Sequence, residues 1–361
     1  MRLGELISPT KVERCGNRCL PILSITKRDG IVLQSEKFNK VVASADVAGY
    51  KVVPRGKLVQ GIHIDEANFG IQNLVDEGIV SPAYRIWDVN ERLVMPEYLA
   101  TALRSDFCIA YYRKNLSGTV QRRGRMSNDV FFALDINVPS LEKQREYLEI
   151  LGTITSQLSA QQHRLSMLDG LVKSRFVEMF GDPALNPKGL SVGSVVDYAE
   201  NLDSMRIPIT QGDRIPGPYP YIGASGAVDS VADYIFDETL LLVSEDGANL
   251  VMRSSPIAFT IRGKSWVNNH AHVLRCKNDN VRVYLETFIN MIDISEWVTG
   301  TAQPKLNQKK LNRIPILKAD ESDMEEFAAF VAQVDKSKFA VQQAIEQLET
   351  LKASLMQEYF G

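Results

Sequence analysis

Two stretches of this chain, 180 residues apart (348 − 168), are versions of one another. Residues 168–181 read LDGLVKSRFVEMFG and residues 348–361 read LETLKASLMQEYFG. Leu168, Leu171, Ser174, Glu178, Phe180 and Gly181 match Leu348, Leu351, Ser354, Glu358, Phe360 and Gly361. A second match, Gly118-Thr119-Val120-Gln121 against Gly300-Thr301-Ala302-Gln303, has nearly the same offset, 182 (300 − 118). Both pairs keep the same order in each half, which is the signature of a tandem duplication. Any fold for this chain must therefore be built twice.

Each copy has one plan. A region of short β-like runs and turn formers comes first, residues 1–139 and 182–318, and a long helix follows, residues 140–181 and 319–361. In the first helix Leu151, Leu158, Leu165, Val172 and Met179 recur every seventh residue; in the second, Phe327, Val334, Val341, Leu348 and Leu355 do so, with Val331, Ile345 and Tyr359 filling the companion row. That is a coiled-coil seam, and neither helix has an internal proline. Pro139-Ser140 opens the first helix, Ser322 with Glu325 has the spacing of a capping box for the second, and Gly181 and Gly361 stand where C-cap glycines belong. A helix of forty residues is about 60 Å long. Its narrow apolar seam can be buried against the other helix or against a partner. The expected arrangement is an antiparallel pair with a globular domain at each end; a dimerisation stalk or a plain spacer are the alternatives.

Within the globular regions, Leu20–Ile25, Tyr50–Val53, Leu240–Val243 and His272–Arg275 read as strands, and segments 96–113 and 283–297 as helical. Turn formers lie between them at Arg28-Asp29-Gly30, Gly212-Asp213, Pro216-Gly217-Pro218 and Gly223–Gly226. The fold class expected is α/β (α+β) in two tandem copies, each with a curved, mostly antiparallel sheet, joined by a long antiparallel two-helix coiled coil.

The net charge of −3 argues weakly against a nucleic-acid partner, but its placement argues for one. Between Asp106 and Asp129 there is no acidic residue, only Arg113, Lys114, Arg122, Arg123 and Arg125; between Glu296 and Asp320 there is again none, only Lys305, Lys309, Lys310, Arg313 and Lys318. Phosphate binding needs positive charge that no neighbouring carboxylate cancels. These stretches fall at equivalent places in both copies. A solvated charged face is the plainer alternative for either one alone.

No pattern of an enzyme is present. There is no phosphate-binding G-x-x-x-x-G-K-[ST] loop, and Gly223-Ala-Ser-Gly226 lacks a third glycine and reads as a turn. His270 and His272 on one strand face are either a metal pair or structural histidines, and no carboxylate or cysteine close in sequence completes a ligand set. Glu245-Asp246-Gly247 reads as a turn rather than an acid–base pair. The four cysteines (Cys15, Cys19, Cys108 and Cys276) are scattered; a metal shared by Cys15 and Cys19 is the alternative to ordinary reduced thiols. Neither a signal peptide nor an apolar run of membrane-spanning length is seen, so a cytoplasmic location without membrane contact is expected.

Tyr221–Gly226, Asp233–Phe236, Leu242–Asn249, Val267–Val273 and Gly300–Asn307 together resemble the second target-recognition domain of type I restriction–modification specificity subunits. Tyr50–Val53, Gly78–Tyr84 and Pro139 place the first half as a more divergent copy of the first such domain. The resemblance implies target-recognition domain 1 at 1–139, a central spacer helix at 140–181, target-recognition domain 2 at 182–318 and a C-terminal spacer helix at 319–361. It also implies a non-catalytic subunit that binds double-stranded DNA, each domain reading half of a split target. Two methyltransferase subunits and motor–nuclease subunits are the implied partners; S-adenosylmethionine, ATP and Mg belong to them, with no cofactor in this chain. The residues expected on phosphates are Arg122, Arg123, Arg125, Lys305, Lys309 and Lys310, and those expected on base edges are Gln121, Gln303, Asn249 and Arg253. The coiled-coil and partner-binding set is Leu151, Leu158, Leu165, Val172, Val334, Val341, Leu348 and Leu355. The first half departs from the family pattern: Arg122-Arg-Gly-Arg125 stands where the second half has Pro-Lys-Leu-Asn, and no Asn-Asn-His-Ala-His is present. A coiled-coil assembly protein without DNA recognition is the rival reading.

Overall fold

The structure, a computed structural model, describes residues 1–27, 30–37, 46–116, 126–300 and 302–361. The chain divides into two compact units, Met1–Gln161 with Ala344–Gly361, and Gln162–Gln343. Both long helices are found, α6 at Leu141–Phe180 and α10 at Glu321–Phe360, and each gives one half to either unit.

The first unit holds strands β1 (Ile7–Pro9), β2 (Leu23–Thr26), β3 (Gly30–Leu33), β4 (Lys51–Pro54), β5 (Leu58–Gln60), β6 (Phe69–Ile71), β7 (Glu77–Val80) and β8 (Arg85–Val89). Its helices are α1 (Leu3–Leu6), α2 (Gln34–Lys37), α3 (Pro96–Ala102), α4 (Asp106–Asn115) and α5 (Asn128–Phe132). The second unit holds β9 (Val192–Ser194), β10 (Ala199–Asn201), β11 (Tyr219–Gly223), β12 (Gly226–Val231), β13 (Phe236–Asp237), β14 (Leu240–Ser244), β15 (Ala258–Ile261), β16 (Lys264–Val267), β17 (Ala271–Cys276) and β18 (Pro315–Leu317), with α7 (Asn249–Met252), α8 (Asp279–Met291) and α9 (Gln308–Leu311).

The duplication is visible in the sheets. The first unit has a four-stranded antiparallel sheet in the order β1-β8-β5-β6; the second has one in the order β10-β17-β14-β15. All five residues of β14 are buried because both its faces are covered. Leu241 and Val243 enter one core with α8 and the long helices, while Leu240 and Leu242 enter a second with Ile222, Phe236 and Val267. A strand buried on both sides reads as an unbroken apolar run, which is how Leu240–Val243 was legible. A smaller sheet, β12-β11-β16-β13, adds the one parallel pairing between strands, β11 with β16, among the described residues.

The correspondence continues past the sheets at an offset of 180. Ser127 caps α5 by accepting from the Val130 amide, and Asn307 caps α9 by accepting from the Lys310 amide. Met126, Phe131, Leu134 and Ile136 are buried, as are Leu306, Leu311, Ile314 and Ile316. The carbonyls of Asn137 and Leu317, also 180 apart, each accept from a tyrosine hydroxyl, Tyr98 at 2.9 Å and Tyr284 at 2.8 Å, the two tyrosines being 186 apart.

Inside each unit the long helices run antiparallel. In the first, the Tyr147 and Tyr359 rings stack at 3.7 Å, joining the start of α6 to the end of α10. In the second, Asp169 meets Lys338 at 2.6 Å and Arg175 meets Glu326 at 2.5 Å, so one index rises as the other falls. Of the expected seam, Leu151, Val334 and Val341 are buried, and Leu158, Leu165, Val172, Leu348 and Leu355 are half-buried.

Three local expectations need correction. The second long helix starts at Glu321, behind Asp320, so Ser322 lies inside its first turn and is not the cap. Segment 96–113 is two helices, because Ser105 accepts from the Cys108 amide and starts α4 afresh. Segment 283–297 begins four residues earlier, with Asn278 capping α8 through the Val281 amide, and ends at Met291. No helix among the described residues is long and apolar enough to cross a membrane.

Candidate nucleic-acid interface

The basic segment of the second unit is built on a closed loop. Thr299 and Lys305 exchange both backbone hydrogen bonds, at 2.8 and 2.7 Å. Gly300 turns the chain with φ +84°, and a Cβ there would lie 2.6 Å from the Gln303 carbonyl oxygen, so only glycine fits. Asn307 then starts α9, which leaves Lys309 exposed and Lys310 half-exposed. A shallow depression of about 400 Å³ lies here, lined by Glu296, Trp297, Asn307, Lys309, Lys310 and Arg313.

Under this loop lies a buried charged network. His272, fully buried on β17, contacts Asp203 Oδ2 through Nδ1 at 2.6 Å and the Leu306 carbonyl through Nε2 at 2.7 Å. Asp203 Oδ1 accepts from the Val273 amide at 2.9 Å. Arg206 Nη1 donates to Glu245 Oε2 at 2.7 Å and to the Ala271 carbonyl at 2.7 Å, and Lys305 Nζ meets Glu245 Oε1 at 3.1 Å. Burial pushes the carboxyl of Asp203 up, but the His272 contact, the Val273 amide and the charge of Arg206 outweigh it, leaving it below its ordinary value. Glu245 is likewise held low: burial opposes, and the Arg206 and Lys305 hydrogen bonds with the nearby His272 prevail.

The absence of carboxylates around the histidine pair, expected from sequence neighbours alone, is corrected here. Asp203 and Glu245 converge on His272 with donor atoms within 4.8 Å of one another, and Asp246 holds His270 Nδ1 at 2.7 Å. The arrangement is that of an ion network rather than a metal cradle, since both nitrogens of His272 and both oxygens of Glu245 already have partners and two cationic side chains neutralise the acids.

The other residues expected at a DNA surface are scattered. Gln303 is exposed on the closed loop. Lys305 is exposed, but its charge is turned onto Glu245. Asn249 is used within its own turn, accepting from Ser254 Oγ at 3.0 Å and donating to the Ser255 carbonyl at 3.0 Å. Arg253, at φ +51°, donates to the Ile292 carbonyl at the end of α8. In the first unit, Arg113 and Lys114 are exposed in the last turn of α4. Gly118, Thr119, Val120, Gln121, Arg122, Arg123 and Arg125 lie outside the described residues, as does Thr301.

Sequence reasoning missed one cationic surface feature. Lys264 Nζ, at the start of the inner strand β16 of the smaller sheet, lies 4.5 Å from the ring centre of Tyr234 and 5.7 Å from that of Tyr219. The three residues come from three separate segments, so no linear pattern marks them.

Comparison with known proteins agrees with the resemblance read from the residues. Residues 190–350 match the family model described as Type I restriction modification DNA specificity domain. A Haemophilus influenzae protein assigned by name as a type I restriction enzyme specificity subunit is 30% identical over 120 residues, 33% of this chain and 31% of that protein, so the match spans about a third of the relative's length. The crystal structure of a type I restriction-modification system S subunit from M. genitalium superposes over all of this chain and 95% of its own, with TM-score 0.59 and 11% identity. A chain from a structure concerned with complex assembly and conformational transition of the type I restriction–modification system covers all of this chain and 96% of its own, with TM-score 0.58 and 15% identity. At these identities the structural likeness is one of fold. Residues 190–350 are thus similar to the DNA specificity domain of the type I restriction–modification family, and the whole chain shares the fold of such S subunits.

Proposed function

We propose that this chain gives a type I restriction–modification complex its DNA sequence preference, each unit reading one half of a split duplex target. The observation that carries this reading is the family match over residues 190–350, which contains the acid-free segment around Gly300–Lys310. Phosphate contacts come from Lys309 and Lys310, and in the first unit from Arg122, Arg123 and Arg125; Lys305, paired with Glu245, ranks below them. Base edges are read by exposed amides and cations, Gln303 and Gln121 first; the polar groups of Asn249 and Arg253 are largely committed within the fold, which ranks them lower.

In this reading the paired helices fix the separation of the half-sites and offer docking surfaces to two methyltransferase subunits. Leu171 and Leu351, equivalent in the repeat, are each 47% exposed, as apolar residues awaiting a partner would be. Motor–nuclease subunits complete the complex, and S-adenosylmethionine, ATP and Mg act in those partners, in the cytoplasm. The chain itself performs no chemistry.

The test is a titration of the purified chain, alone and with its methyltransferase, against mixed-sequence duplex DNA over a range of salt. Affinity should fall steeply and log-linearly with salt. Lack of affinity in both cases would leave the assembly-protein reading as the better account.

A further inference from the structure

We infer that His272 is a positioning residue, held as an imidazolium between Asp203 and the Leu306 carbonyl, and that it fixes the loop from Thr299 to Asn307 in its closed form. A peptide carbonyl only accepts, so Nε2, 2.7 Å from the Leu306 oxygen, carries a proton. Nδ1, 2.6 Å from Asp203 Oδ2, either donates to a carboxylate or accepts from a neutral acid. The neutral acid is disfavoured by geometry: Asp203 Oδ1 accepts from the Val273 amide, and Arg206 Nη2 lies 3.4 Å from Oδ2. Both ring nitrogens therefore donate.

Around the ring, the acids Asp203 and Glu245 are matched by Arg206 and Lys305, and Asp246 beside them is a third carboxylate. Asp203 and Arg206 come from the turn after β10, Glu245 from the end of β14 at 3.7 Å from Nδ1, and Lys305 from the loop itself, while Asp246 and His270 form the adjacent pair. A buried cation is tolerable only with such partners. The loop is tied to the same strands through its backbone, Leu306 N to the Glu245 carbonyl at 2.8 Å and Gly247 N to the Pro304 carbonyl at 3.1 Å. In the first unit a cation reaches out from the same end of the equivalent strand: Arg85 of β8 donates to Asn128 Oδ1, in the first turn of α5, at 2.9 Å. Both units thus hold the entrance to their short capped helix with a cation from the strand beside it.

The role assigned to the loop rests on the DNA-reading function proposed above; the state of the ring does not. The experiment is therefore read in two parts on the full-length chain. Long-range proton–nitrogen correlation on histidine-labelled protein should show protons on both ring nitrogens of His272 near neutral pH; an unprotonated nitrogen overturns the inference. His272→Gln, which cannot donate on both sides, should speed hydrogen exchange of the Leu306 amide about 10- to 100-fold while that of Leu242 in the sheet is unchanged. It should also weaken duplex affinity by a similar order. Unchanged protection of Leu306 overturns the inference, and if the variant does not fold, the ring measurement on the unaltered chain decides. Wild-type protein that shows the doubly protonated ring but no duplex affinity would sink the proposed function and leave the ring assignment standing.

Discussion

The ring of Phe360 lies 5.0 Å from that of Tyr98, and 180 residues earlier the ring of Phe180 lies 4.9 Å from that of Tyr284. Each long helix thus ends by driving the same aromatic side chain into the core of a unit: α6 into the second, α10 into the first. Both phenylalanines are buried, and truncating a buried phenylalanine to alanine costs about 3–5 kcal/mol. Phe360→Ala should therefore loosen amides of the first unit, such as Leu134, and Phe180→Ala those of the second, such as Ile314. Residue-resolved hydrogen exchange checks this; loosening in the wrong unit would contradict the pairing.

The seam and the exposed ion pairs of the helices should differ in weight. Leu151 is buried in the first unit's core, so Leu151→Ala should cost about 2–5 kcal/mol. Asp169 is exposed where it meets the half-buried Lys338, and Asp169→Asn should cost less than about 1 kcal/mol. Denaturant melts of the two variants measure the contrast.

If Leu171 and Leu351 each belong to a docking surface, Leu171→Asp and Leu351→Asp should each remove one methyltransferase copy from the complex, and the double variant both. Mass measurement of the assembled complex reads the stoichiometry directly. Two copies retained by both single variants would move the docking surface elsewhere.

Lys309→Glu with Lys310→Glu should weaken binding to all duplex sequences alike and reduce the salt slope by about one for each phosphate no longer neutralised. A change confined to one sequence would instead assign these lysines to base reading.

The network beneath the loop has a definite pH sign. Glu245 titrates below its ordinary value in the folded chain, so its contribution is present at neutral pH and lost as pH falls through the carboxylate range. Glu245→Gln should flatten that acid slope and cost about 3 kcal/mol at neutral pH, because Arg206 is left buried without its closest carboxylate. Stability measured against pH for both proteins tests it.

Much of this was legible because it is periodic. The sevenfold recurrence of Leu151 through Val172 and of Val334 through Leu355 marks both helices, and the matched segments ending at Phe180 and Phe360 expose the duplication. Its extension to Ser127 and Asn307 was not legible, since a serine and an asparagine do the same capping work without looking alike. The charged network was missed for a different reason. Asp203, Glu245 and His272 are brought together by strand pairing across dozens of residues, and near neighbours in sequence say nothing about that. The same holds for Lys264 between Tyr219 and Tyr234. Conversely, Asn249 and Arg253 have the right chemistry for base reading, yet the fold spends them on a turn and on the end of α8.

The central claim is that this chain sets a DNA sequence preference for a methyltransferase. The most direct measurement is methylome sequencing of cells that express the chain together with the methyltransferase encoded beside it. The account predicts adenine methylation at one split motif, lost when the chain is omitted. Association without any new methylated motif, or methylation that persists unchanged without the chain, would contradict it.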